Sequence, residues 1–137
     1  MAKPLVIDTG PLVALLDRSE HNHLRCVDML QGWHGQIVTT EAVLTEALYL
    51  LNFSNQAQQN CLNMFTRKAI TLVPTAFGAL QRIQILMQKY ADVPMDYADA
   101  SLVVLCEDLD VAQIFTLDKR DFTVYRRNGR DVFTIVP

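Results

Sequence analysis

The sequence predicts an α/β fold in which a parallel sheet carries helices on both faces. Three observations lead there. Short apolar runs with almost no charge recur along the chain, and most are followed by a longer stretch whose apolar residues fall at helical spacing. The runs are apolar throughout rather than alternating, which is the pattern of strands covered on both sides. Two of them, near the start and near the end of the chain, lead into an aspartate, Asp8 and Asp118. Open parallel sheets bind ligands just beyond the carboxyl ends of their strands, so both acids stand where chemistry is expected.

The elements follow in order. Residues 4–7 form the first strand, which runs directly into Asp8. Thr9, Gly10 and Pro11 supply turn chemistry and a helix start, since Pro fits a first helical turn, and Leu12 to Leu16 continue the helix. After a polar break at 18–23, Leu24, Val27, Met29 and Leu30 give a second helix ending near Gly32. Residues 36–39 read as the second strand, with Thr39 or Thr40 available to cap the helix at 41–51. That helix is almost wholly apolar after its first turn, and Glu46 is the exception. Residues 54–68 place Ala57, Cys61, Met64 and Phe65 at helical spacing on an Asn/Gln-rich surface, and residues 70–73 read as the third strand. Pro74 and Thr75 stop that strand and cap a helix with a stripe of Phe77, Leu80, Ile83, Met87 and Tyr90.

The helix at 95–109 carries Asp96 and Asp99 near its N-terminus, where the helix dipole favours negative charge. Steps of three, four and seven from Asp99 reach Leu102, Val103 and Cys106, so Asp99 belongs to the inward stripe. Glu107, Asp108 and Asp110, at the other end, read as solvated charges. Residues 111–117 form the fourth strand, which ends at Asp118. Residues 119–122 are a turn that contains Asp121, and residues 132–136 close one edge. If the first and fourth strands are parallel neighbours, Asp8 and Asp118 emerge on one edge at a switch point, and Glu46 and Asp99 can converge on it.

At 137 residues, half hydrophobic and a fifth charged, the chain is expected to be one domain, residues 1–137, with one core. No apolar run approaches the roughly 20 residues that span a bilayer, and no basic segment precedes a long apolar one, so a cytoplasmic protein is expected. Cys26, Cys61 and Cys106 are far apart and lie in apolar helical patterns, as buried thiols do. A net charge of −3 offers no general attraction to nucleic acid, so a polyanion would need a local basic patch or a metal.

One acid at a strand end is as readily a helix cap as a functional group. The set is more informative. Several carboxylates in one crevice raise each other's pKa and require protons or cations between them. Oxygen-only ligands suit a hard ion such as Mg²⁺ or Mn²⁺. His21, His23 and His34 have no zinc-ligand spacing, and the chain has no Gly-rich phosphate loop. A carboxylate-held Mg²⁺ points to phosphodiester hydrolysis. Five of the twelve basic residues, Lys119, Arg120, Arg126, Arg127 and Arg130, follow Asp118 directly. They form either a solvated loop or a contact surface for a phosphate backbone.

With these acids in place, the sequence resembles the PIN-domain ribonucleases, and more closely the VapC toxins of bacterial type II toxin–antitoxin pairs. The resemblance spans essentially the whole chain and rests on VIDTGPLVALLD at 6–17, TEALYLL around Glu46, PMDYADASLVVL at 94–105 and FTLDKRDF at 115–122. It implies a three-layer α/β/α sandwich with a parallel sheet of four or five strands, Mg²⁺- or Mn²⁺-dependent endoribonuclease activity, a homodimer, and an antitoxin whose tail fills the groove. Its four acids fall on Asp8, Glu46, Asp99 and Asp118, and its hydroxyl positions on Thr9 and Thr116. Asp96 and Asp121 match acids that many relatives carry. Gly10 stands where the family often has Ser or Asn.

The mechanism implied has Asp8, Asp99 and Asp118 holding one metal ion directly or through water, Glu46 orienting or deprotonating the attacking water, and Thr9 and Thr116 fixing the carboxylates. Alternatives are a PIN nuclease of RNA maturation and a non-catalytic Mg²⁺-binding phospho-receiver. A receiver needs an acid pair before Asp8 and an acid ending the third strand, and both are missing. A haloacid-dehalogenase-type phosphatase needs an Asp where this chain has Gly10. Residues 54–68 and the stripe on 77–90 are the candidate dimer surfaces.

Overall fold

The first strand, β1 (Leu5–Ile7), is the centre of the molecule: none of its three side chains has any exposed surface. The computed structural model describes residues 2–137. β1 pairs in parallel with β2 (Ile37–Thr40) on one side and with β4 (Gln113–Phe115) on the other. β3 (Thr71–Val73) extends the sheet beyond β2, and β5 (Thr134–Val136) extends it beyond β4. All five strands are parallel in the order β3-β2-β1-β4-β5. The chain thus builds outward from β1 to β3 and then returns to the far side of β1, which makes the β1/β4 boundary the switch point.

Four helices make the outward crossings: α1 (Thr9–Leu16), α2 (His23–Gly32), α3 (Glu41–Leu50) and α4 (Asn55–Thr66). α5 (Ala79–Lys89) and α6 (Tyr97–Leu109) bring the chain back, and α7 (Lys119–Val124) joins β4 to β5. Right-handed crossovers running in opposite directions place the two sets on opposite faces, giving the expected α/β/α sandwich. α6 is the most deeply embedded helix, with Ala100 to Cys106 buried without a break. All three cysteines are buried and free. No helix among the described residues is long and apolar enough to cross a membrane.

The structure revises several details. The apolar run at 111–117 is longer than its strand. The Val111 amide bonds Cys106 O at the end of α6, and after Phe115 the chain turns away towards α7. Residues 119–124 are a helix rather than a turn, because Asp118 caps them by accepting from the Asp121 amide at 3.1 Å. Pro74 and Thr75 do not cap α5. Its N-cap is Gly78, Phe77 lies outside the helix and 91% exposed, and the buried stripe runs through Ile83, Leu86 and Tyr90. Glu107 is not a solvated charge. It takes a two-pronged bond from Arg82, at 2.8 and 3.1 Å, and accepts from the Asn128 amide at 2.6 Å.

Candidate active site

Asp8 occupies the first position beyond β1, and its amide donates to Phe115 O of β4 at 2.9 Å, so the switch point is stitched at this residue. Its side chain is the N-cap of α1, with Oδ1 accepting from the Thr9 amide at 2.7 Å. Oδ2 accepts from the Thr116 hydroxyl, also at 2.7 Å. Asp8 is therefore both a cap and a cleft acid. Burial pushes its pKa up to about 6; the two hydrogen bonds pull against that, and the charges of Glu46 and Asp118 add to it.

The other acids arrive from three different helices. Asp99 lies in the first turn of α6, in a reciprocal capping box with Asp96: Asp96 Oδ1 accepts from the Asp99 amide at 2.8 Å, and Asp99 Oδ2 from the Asp96 amide at 3.3 Å. Its pKa rises to about 7, chiefly through burial and then through the charges of Asp96 and Asp8. Glu46, half-buried on α3, and Asp118, half-buried at the cap of α7, line the same cleft together with Thr9, Asp96 and Asp121. Thr116 couples two of the acids, since its hydroxyl donates to Asp8 and accepts from the Asp118 amide at 3.0 Å. The expected residues are thus gathered on one edge of the sheet.

One participant was not foreseen. The buried Tyr125 donates its hydroxyl to Asp99 Oδ2 at 3.1 Å. Its ring is clamped edge-on by Tyr90 and Phe122, with centroids 5.2 and 5.0 Å away. Burial, and then the nearby charge of Asp99, raise the phenol's pKa, which keeps it a donor. The i, i+3 spacing of Phe122 and Tyr125 is the sequence signal that both face inward, but it does not reveal the partner.

The basic run divides. Arg126 turns back onto the end of α7, donating to the carbonyls of Thr123, Val124 and Tyr125 at 2.7, 3.0 and 3.0 Å. Arg127 donates to Val132 O at 3.2 Å and lies over the Phe133 ring. Both are half-buried and engaged with the fold, whereas Lys119 and Arg120 are exposed beside Asp118 and Arg130 is exposed further along the run. Among the histidines, His23 is bonded to Ala14 O at 2.6 Å.

Whether the cleft suits a metal ion can be judged from its donors. Among the described residues, no salt bridge reaches Asp8, Glu46, Asp96, Asp99, Asp118 or Asp121, and the charge of Arg120 moderates only that of Asp121, so the cleft keeps an excess of negative charge. Thr9 Oγ1 is buried there without a hydrogen-bond partner. Among the same residues, no three Asp, Glu, His or Cys side chains form a ready-made metal cage. An all-oxygen, unbalanced and loosely spaced set fits Mg²⁺ or Mn²⁺, which bind through one or two carboxylates and keep several waters.

A parallel sheet of this order with acids gathered at its switch point defines a class, and the chain belongs to the PIN domain family, whose model matches residues 5–128. Within that class it is 27% identical over 135 residues to Ribonuclease VapC26 of Mycobacterium tuberculosis, spanning 97% of this chain and 100% of that protein. The fold of M. tuberculosis VapC20, described as a Sarcin-Ricin loop cleaving toxin, superposes with a TM-score of 0.82 at 13% identity, covering 95% of this chain and 99% of that one. VapBC2 of Rickettsia felis, bound to a DNA fragment from its promoter, gives 0.69 at 12% identity, with 98% and 99% covered. A toxin–antitoxin complex from Klebsiella pneumoniae gives 0.70 at 16%, with 97% and 96% covered.

Proposed function

We propose that this chain is a divalent-metal-dependent endoribonuclease, the toxin of a toxin–antitoxin pair, acting in the cytoplasm. The observation that carries the reading is the convergence of Asp8, Glu46, Asp99 and Asp118 on one cleft of a PIN domain. The ribonuclease relative supports RNA as substrate, and the VapBC and toxin–antitoxin complexes among the structural neighbours support an antitoxin partner.

In this reading Asp8, Asp99 and Asp118 would hold one Mg²⁺ or Mn²⁺, directly or through water. When bound, the ion neutralises charge at the phosphate and acidifies water. Thr116 and Tyr125 fix the orientation of Asp8 and Asp99 through the bonds described above. Glu46 orients the attacking water and takes its proton. Water attacks phosphorus in line, the bond to the 3′ oxygen breaks, and the products carry a 5′-phosphate and a 3′-hydroxyl. Exposed Lys119 and Arg120 contact the backbone beside the cleft. Pairing with a second copy through α5 and the residues just before it is supported by Phe77, Leu80 and Ile85, exposed by 91, 42 and 52%.

Metal-dependent cleavage of RNA by the wild type, compared with Asp8→Asn and Asp99→Asn, tests the proposal. Each variant is expected to lose about a hundred-fold or more. Wild-type rates in both would overturn the assignment of this cleft.

A further inference from the structure

The acid cleft does not end at its acids. Glu46 and Asp96 also form the near wall of an adjoining apolar groove that continues over Ala42, Tyr49, Tyr97 and Ala98. Past Tyr97 a further depression, sharing Ala42, Thr45 and Tyr97 with that groove, carries the track on to Pro74 and Thr75. One wall is a product of helical repeat, because Ala42, Thr45, Glu46 and Tyr49 stand at i, i+3, i+4 and i+7 on α3. The start of α6 supplies the other. Tyr49 and Tyr97 are 71% and 42% exposed, and Ala42 and Ala98 line the groove with them.

We propose that this groove is a nucleobase subsite, in which Tyr49 and Tyr97 stack an unpaired base of the RNA whose phosphodiester lies at the acids. The inference rests on the nuclease reading given above. Position is the first argument. Tyr49 is one helical turn from Glu46, about 5–6 Å between Cβ atoms, so a base flanking the scissile phosphate reaches it. Continuity is the second. Three linked depressions along α3 form a track for an extended polymer rather than a pocket for a compact ligand.

Chemistry is the third argument. No cationic side chain lines the groove, so it does not attract phosphate, whereas aromatic faces and methyl groups suit the flat face of a base. An extended peptide would find few backbone partners along α3, which presents the side of a helix. A paired base, hidden in its stack, cannot enter, so the groove selects single strands.

The test uses the Asp8→Asn chain, which binds without cutting, and a fluorescein-labelled single-stranded RNA of about eight nucleotides followed by anisotropy. Adding Tyr49→Ala or Tyr97→Ala is expected to weaken binding by about five- to a hundred-fold, while Tyr→Phe at either position stays within about two-fold. An RNA with an abasic residue next to the cleaved bond should bind weakly to the tyrosine-intact chain and lose nothing further in the alanine variants. Both side chains are exposed, so the substitutions leave the fold intact, and circular dichroism checks this. Alanine variants that bind the single strand as tightly as their parent overturn the subsite. So does a loss confined to binding of an antitoxin peptide, which would make the groove a protein-docking surface. Metal-dependent cleavage by the wild type, measured in parallel, separates this failure from failure of the nuclease reading. A wild type that neither binds nor cuts RNA overturns both.

Discussion

Asp8 holds two roles whose energetics oppose each other. As a helix cap bonded to Thr9 and Thr116 it stabilises the fold, and as a buried carboxylate near Glu46 and Asp118 it destabilises it. The sign follows from its pKa, about 6 in the folded chain against an ordinary 3.8. Between these values the folded state keeps a proton that the unfolded chain has released, so stability at this residue is full below about 4 and falls as pH rises through 6. With a chelator present, Asp8→Asn is therefore expected to be more stable than wild type at pH 8, by about 1–2 kcal/mol, and to lose that advantage near pH 4. Urea denaturation at the two pH values measures it. A variant less stable at both would show that capping dominates. At this scale the sequence is informative where residue type conflicts with surroundings, as with an acid after a buried strand or Glu46 in an apolar helix. It says little of Tyr125 or of the double role of Thr116, whose partners lie 26 and 108 residues away.

Among the elements, α7 decides how Asp118 is to be understood. The sequence KRDF reads as a turn because it is charged and short; one side-chain cap and the inward pair Phe122 and Tyr125 make it a helix. The carboxylate of Asp118 is thereby committed locally through Oδ1 and yet lines the cleft. Two substitutions separate these roles. Asp118→Ala should cost about 1 kcal/mol of stability, while Asp118→Ser, which keeps a capping oxygen, should stay within about 0.5 kcal/mol of wild type. RNA cleavage should fall alike in both if the carboxylate acts at the metal. Recovery of cleavage by Ser along with stability would reduce Asp118 to a cap. The other element-level departure, Glu107, has a related cause. Helical spacing places it at the surface end of α6, and only the return of the chain at Asn128 and the approach of Arg82 enclose it.

For the whole molecule, the apolar runs and their order made the parallel α/β sheet legible, because parallel crossovers admit few arrangements, while the β1/β4 neighbourhood entered only as a condition that the structure supplies. Strand lengths were not legible, since an apolar residue at a helix C-terminus, such as Val111, resembles one in a strand. The site inherits the fold's charge imbalance, which gives a global expectation. Adding Mg²⁺ to chelated protein at pH 8 should raise Tm by about 4–10 °C, and by much less at pH 5, where protons already occupy Asp8 and Asp99. Differential scanning calorimetry would detect this, and an equal shift at both pH values would place the ion elsewhere.

The bond from Thr116 to Asp8 ties the last third of the chain to its first strand. Its consequence concerns time rather than shape. A chain emerging from the ribosome carries Asp8 and Glu46 long before it carries β4 and α7, and until those dock, the switch-point edge is unbuilt. The order of synthesis therefore leaves the candidate site unassembled until β4 and α7 have been made.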